Sequence, residues 1–321
     1  MKNDPDMKQL RQGLVECLRN EGADLVRFGN VERFRDPNVK RLMPEARTVI
    51  AIGFRQLRGS KRGIEEGSTY YQYTTMSVEN LEEVVMPMAL HQACGFLENA
   101  GFDALPQRRN QLIMAEADDT NPEVDFDEIY RSRTKEHQLD FEQCAVDAGL
   151  GEIGLSGSIL TDEFGPFLRW VFILTDACFE PDPVVVPHLC DRCGECIRAC
   201  PGRALSSDGK LDRWQCAVYY KGANRSKNPF MPPNAFPNDP DRLAIIAGEA
   251  KLTPERAREI LEQIHFYPRI KHAYVSSICG RACDTACYVH LEEKGVLTRK
   301  FRTKFRKRPV WKLSLDGGKD S

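Results

Sequence analysis

Four cysteines fall within eleven positions, Cys190-Asp-Arg-Cys193-Gly-Glu-Cys196-Ile-Arg-Ala-Cys200, and Pro201 follows. Thiolate is a soft ligand suited to iron and zinc. With this spacing, C-x2-C-x2-C-x3-C-P, three thiolates of one tight loop take three corners of a [4Fe–4S] cube, and the fourth is carried away to a second cube. The pattern therefore demands more cysteines, and the chain has Cys216 and the run Cys279-x3-Cys283-x3-Cys287. By the crossover rule Cys287 completes the set of Cys190, Cys193 and Cys196, while Cys200 joins Cys216, Cys279 and Cys283. The second run has three residues between cysteines where two are usual, and no proline follows Cys287, which leaves the nuclearity of the second cluster open. Zinc is the competing reading, because C-x2-C pairs also hold zinc. Zinc ribbons use two separated pairs, however, not four cysteines closed by proline. Two cubes make an electron wire, and a wire implies something to reduce.

A second motif lies upstream. Gly149-x-Gly151-x-x-Gly154 matches the dinucleotide fingerprint G-x-G-x-x-G, which functions when it follows a strand and opens a helix. Residues 140–148 instead read as helical, and Ser156 to Leu160 as a turn into a strand. The context argues against a nicotinamide cofactor and leaves a tight turn under a sheet as one explanation of the glycines.

The elements that must position these motifs read as an α+β chain. A helix over 8–22 precedes a short strand at 23–29, and Thr48 to Phe54 is an apolar run of buried-strand length. Residues 55–69 are basic and glycine-rich, a loop. A helix over 78–100 buries Leu81, Val84, Val85, Met88 and Leu90. Residues 107–140 are polar, 171–176 form another buried strand, and the proline-studded 181–187 is a linker. Residues 224–240 read as loop and 241–264 as helices, with Thr253 as an N-cap before Pro254. At 321 residues the chain is long enough for two modest domains. Its 41% hydrophobic and 29% charged residues and net charge of −2 exclude a global pull toward nucleic acid or membrane. No apolar run reaches membrane-spanning length, and the polar, acidic start lacks a signal peptide. The expected compartment is the cytoplasm, where clustered cysteines signify metal. Cys17, Cys94, Cys144 and Cys178 read as small core residues.

Ala148-Gly-Leu-Gly-Glu-Ile-Gly154, then Gly165-Pro166-Phe-Leu-Arg169, then Leu174-Thr175-Asp176, followed by the cysteine runs, resembles the cobalamin-dependent iron–sulfur reductases, that is, epoxyqueuosine reductases and reductive dehalogenases. The resemblance extends over about residues 8–290. It implies a nitroreductase-like, cobalamin-binding α/β domain over 1–180, a ferredoxin-like double [4Fe–4S] domain over 181–298 and a basic tail over 299–321. It implies a corrinoid held base-off and reduced to Co(I), with Gly149, Gly151, Gly154, Ser156, Gly157, Leu160, Gly165, Arg169 and Thr175 as its candidate contacts. A flat macrocycle packed on backbone leaves no room for side chains, hence the glycines.

Proton delivery follows from the same resemblance. Dehalogenases of this kind use a tyrosine beside a cation, roles that Tyr71 or Tyr73 and Arg169 match here. Epoxyqueuosine reductases use an aspartate in a V-D-x-G-P segment. This chain reads Lys135-Glu-His137-Gln-Leu-Asp140-Phe-Glu142 there, so Asp140 or His137 stands in. The substrate is then a small organic molecule, reduced by reductive dehalogenation or deoxygenation, and the electron source a low-potential donor such as ferredoxin or flavodoxin. Two other functions stay open: an electron carrier or reductive activator of a corrinoid partner, and a divergent tRNA epoxyqueuosine reductase. The basic segment 299–308, with Phe301 and Phe305 interleaved, has the composition to meet RNA phosphates. A solvated or partner-docking strip is the more usual role of such a run, and nothing apolar accompanies it for a membrane.

Overall fold

The computed structural model describes residues 6–109, 138–266 and 277–306. The chain forms two compact units, and no single cut separates them: Met1–Arg55, Leu81–Ile153 and Leu168–Pro187 make the first, and Gln56–Asn80, Gly154–Phe167 and His188–Ser321 the second.

In the first unit, helix α1 (Met7–Asn20) is capped by Asp6, whose carboxylate accepts from Lys8 N at 2.9 Å, and it buries Leu10, Leu14 and Leu18 at helical spacing. Strands β1 (Leu25–Asn30), β2 (Thr48–Arg55), β3 (Ala104–Gln107) and β6 (Leu168–Thr175) form an antiparallel sheet in the order β1-β2-β6-β3. Pairs such as Ile50↔Ile173 and Ile52↔Val171 set its register. Because side chains alternate across a strand, Ile50, Ile52, Val171 and Ile173 enter one core with Leu14, Leu18, Leu90 and Leu97. Phe172, on the opposite face, meets Phe141 edge-on with ring centroids 5.2 Å apart. Burial on both faces explains why β2 reads as a continuous apolar run.

The expected helix over 78–100 is interrupted. Two π-helical turns, Thr75–Glu79 and Leu81–Val85, run ahead of α5 (Met86–Asn99). A wider turn shifts the facing of the residues beside it, and Val84 and Met88, expected inside, stand 54% and 49% exposed, whereas Leu90, Ala93 and Leu97 are buried. Helix α6 (Phe141–Asp147) matches the helical reading before the glycine run, so Gly149 follows a helix, not a strand. Gly149 has φ +76, and a Cβ there would lie 2.3 Å from the Pro183 carbonyl oxygen. The two-residue strands β4 (Glu152–Ile153) and β5 (Ile159–Leu160) come next in the chain.

The second unit is mostly helical: α3 (Arg58–Glu65), α4 (Tyr71–Thr74), α7 (Glu195–Arg198), α8 (Arg213–Lys221), α9 (Arg242–Ala247), α10 (Pro254–Gln263) and α11 (Ala282–Lys294). Helix α3 corrects the reading of 55–69 as a loop. Gly63, which lowers helix propensity, is there because the Thr69 methyl occupies the space of its Cβ. Thr253 caps α10 as expected, accepting from Arg256 N at 3.4 Å. One core gathers Val218, Tyr219, Phe236, Ile245 and Ile260. Another gathers Leu160, Phe167, Leu189, Tyr288, Leu291 and Phe305, with Phe167 stacked on Tyr288 at 4.3 Å. Cys94 and Cys144 are buried, but Cys178 is exposed and is no core residue. Among the described residues, no helix is long and apolar enough to cross a membrane.

Phe172 is fully buried between its sheet neighbours and Phe141. Phe172→Ala is expected to lower unfolding free energy by about 3–5 kcal/mol, read from the urea midpoint, whereas the 54%-exposed Val184 tolerates Val184→Ala within about 0.5 kcal/mol.

Candidate metal centre

Two left-handed residues, Arg192 at φ 58 and Gly194 at φ 78, curl the loop that carries Cys190 and Cys193 into the short helix α7 with Cys196. Asp191 ties this loop to α11, accepting from Lys294 Nζ at 2.8 Å and pairing with His290 Nε2 at 2.9 Å. Those two partners hold its carboxyl well below the usual range. Cys216 sits on α8. Cys279 precedes α11, which then carries Cys283 and Cys287. The x3 spacing that departs from the first motif is thus a helical one: residues four apart share a helix face one turn apart.

The structure brings the thiols together in two sets. The Cys287 thiol is pushed up first by burial and then, beyond Asp284, by Cys196, Cys190 and Cys193. Burial pushes Cys216 up to about 12, with Cys279 and Cys200 adding to it. Cys283 is raised by burial and Asp284, with Cys279 and Cys216 also contributing, and Cys279 by burial with Cys200 contributing. Cys193 and Cys196 are raised chiefly by burial. Backbone donors already point at two sulfurs, Leu155 N at 3.3 Å from Cys190 Sγ and Ala204 N at 3.2 Å from Cys200 Sγ. Partial burial makes a thiolate without a counter-charge costly, so the thiols that burial raises stay protonated unless a cation binds. Four converging sulfurs with amide donors fit an iron–sulfur cube.

Between the sets lies a charged network that sequence reading missed. Asp284, 2% exposed, separates Cys283 from Cys287. Its Oδ1 accepts from Ser158 Oγ at 2.6 Å, and its Oδ2 pairs with Arg281 Nε at 2.6 Å. Lys61 Nζ lies 3.9 Å from the same Oδ2 and donates to the Gly280 carbonyl at 3.1 Å, its side chain wholly buried. The signal was an aspartate directly beside a cysteine. Its lysine partner stood in a stretch that read as loop.

The other nominated residues are placed as follows. Tyr71 is 55% exposed, whereas Tyr73 is fully buried with Lys61 Nζ 4.1 Å above its ring. Asp140 caps α6, accepting from Gln143 N at 3.0 Å, and His137 lies outside the described residues. Arg169 faces Glu82 at 3.4 Å in the first unit. Of the candidate corrinoid contacts, Gly149 is closed off by its own chain and Leu160 is core. A Cβ on Gly154 or Gly165 would meet Leu160 or Leu291 at 3.0 or 3.3 Å. Thr175 Oγ1 accepts from Ala177 N, and Ser156 donates to Ser158. Gly151 is buried. Gly157 alone among them is an exposed glycine with nothing within 4 Å of a Cβ position.

The 4Fe-4S binding domain family matches residues 183–206. Epoxyqueuosine reductase of Bacillus subtilis is 23% identical over 250 residues, covering 66% of this chain and 55% of its own length. Tetrachloroethene reductive dehalogenase of Sulfurospirillum multivorans is 37% identical over 65 residues, 19% of this chain and 13% of that one. Among solved structures, a catabolic reductive dehalogenase in complex with 3-bromo-4-hydroxybenzoic acid superposes with a TM-score of 0.51 at 13% identity, covering 93% of this chain and 38% of that one. The fold is thus a mixed α/β one shared with that dehalogenase, and it carries a 4Fe-4S binding domain. The chain's homologues are two kinds of reductase, the epoxyqueuosine reductases and the reductive dehalogenases. This chain spans about half the length of the first of them.

The two thiol sets are separable by mutation. Cys287→Ser and Cys216→Ser should each lower bound iron from about eight to about four per chain. Adding Cys190→Ser to the first should change little, whereas combining Cys287→Ser with Cys216→Ser should abolish binding. Inductively coupled plasma analysis of the reconstituted variants reads the difference.

Proposed function

We propose that this chain is an iron–sulfur oxidoreductase with two [4Fe–4S] clusters, held by Cys190, Cys193, Cys196 and Cys287 and by Cys200, Cys216, Cys279 and Cys283. The observation that carries the reading is the match of residues 183–206, which hold Cys190, Cys193, Cys196 and Cys200, to the 4Fe-4S binding domain family, together with α11, which carries Cys283 and Cys287. When bound, the clusters supply one-electron transfer at low potential. The chain's own part is to aim backbone N–H groups at the Cys190 and Cys200 sulfurs and to present Cys283 and Cys287 on α11.

Of the reductions its relatives' names describe, that of an epoxide on an RNA nucleoside is the better supported, because similarity to epoxyqueuosine reductase extends over 66% of the chain and that to the dehalogenase over 19%. A protein surface suited to RNA accompanies it. Arg299, Lys300, Arg302 and Lys304 are exposed, and Phe301 is 44% exposed with Arg58 4.3 Å over its ring. Phe305, interleaved with these in sequence, is not available to a base: it is 1% exposed in the core and pins the strap, and its N–H donates to Glu292 at 2.7 Å. The missing V-D-x-G-P segment favours a second reading, reduction of a small organic halide or oxide with Tyr71 or Tyr73 as proton donor. Relatedness alone supports a corrinoid in either case.

Cobalt and iron quantitation after anaerobic reconstitution, with and without hydroxocobalamin, tests the cofactors. About eight irons with stoichiometric cobalt supports a corrinoid reductase; full iron with no retained cobalt leaves an electron carrier that serves another protein. For the RNA reading, a tRNA anticodon stem loop should bind with a steep salt dependence. Replacing Arg299, Lys300, Arg302 and Lys304 by Gln should flatten the slope of log affinity against log salt by roughly 3. An unchanged slope in a fluorescence anisotropy titration contradicts it.

A further inference from the structure

Lys61 is a lysine with no solvent. Its side chain is 0% exposed, its ammonium lies 4.1 Å over the Tyr73 ring and 5.2 Å from the centre of the Phe167 ring, and its hydrogen-bond acceptor is the carbonyl of Gly280, the residue after Cys279. Buried charges are tolerated only where they are paired. The carboxylate Lys61 faces, Asp284, already holds Arg281 at 2.6 Å. Two cations thus share one anion, and this site keeps one positive charge in excess. Arg281 stands midway between Cys279 and Cys283, two residues from each, and its guanidinium donates to Ser158 Oγ at 3.1 Å. The backbone that Lys61 grips joins Cys279 to Arg281.

We infer that Lys61 and Arg281 form a fixed positive charge that sets the reduction potential of the cluster held by Cys200, Cys216, Cys279 and Cys283, with Asp284 as the opposing charge. The inference rests on the reading that these thiols hold a cluster. A cube bound by four thiolates is anionic and gains one further negative charge on reduction, so a buried cation beside it favours the reduced form and a buried carboxylate disfavours it. The balancing charge for the excess cation is then the cluster itself, which accounts for a lysine sealed under two aromatic rings.

The test is a redox titration followed by electron paramagnetic resonance on the reconstituted full chain, with iron counted in every sample. Lys61→Met keeps the length of the side chain and removes its charge. It should disfavour reduction of the second cluster roughly tenfold, a shift of 59 mV to lower potential for a one-electron couple. Asp284→Asn keeps an acceptor for Ser158 and Arg281 and should move the same cluster upward. Shifts of opposite sign at full iron content are not what a loosened structure produces. Where Lys61→Met fails to take up its iron, Arg281→Gln at the partly exposed end of the network decides in its place, with a downward shift expected. Full iron with unchanged potentials, or shifts of the same sign, overturns the inference. A wild-type chain that binds no second cluster overturns the reading beneath it.

Discussion

Eight thiols drawn from distant segments into half-buried positions, with Cys196 buried, are the constraint on which this structure turns. Cys216, Cys279, Cys283 and Cys287 sit where burial pushes their thiols up, and in such a place sulfur is either protonated or bound to a cation. The surrounding architecture brings distant segments to those sulfurs: a tight loop folded by two left-handed residues, a helix that carries Cys216, and α11. Metal binding and folding of the second unit are therefore expected to be coupled.

Helix α11 is the common element. It supplies Cys283 to one set and Cys287 to the other, places Asp284 between them, and is fastened to the first cysteine loop through Lys294, His290 and Asp191. It also packs Tyr288 against Phe167 and Phe305. Arg58 on α3 reaches Glu292 at 2.8 Å. A segment far upstream, residues 56–80, is thereby drawn into the cysteine-bearing unit, which explains why a lysine at position 61 stands beside residue 284.

What was legible in the sequence was whatever local chemistry dictates. The two cysteine runs, the helix before Gly149, the buried strands read at 48–54 and 171–176, and the capped helix at Thr253 all depend on neighbours within a few residues. Long-range packing was not legible. Residues 58–65 form a helix despite a glycine at 63, whose missing Cβ makes room for the Thr69 methyl, and beside the π-helical turns before Met86, Val84 and Met88 stand exposed without a local signal. The glycine run shows the same limit. At Gly149 the carbonyl of Pro183 occupies the space of a Cβ, a contact between residues 34 positions apart in sequence.

Mössbauer spectroscopy of the chain reconstituted anaerobically with 57Fe tests the central claim most directly, because it counts iron by site type without requiring a substrate. The account predicts that all the iron occupies cubane sites, in two populations that reduce separately. Iron in mononuclear four-sulfur sites, or a single cube with the Cys216, Cys279 and Cys283 thiols left free to alkylation, would contradict it.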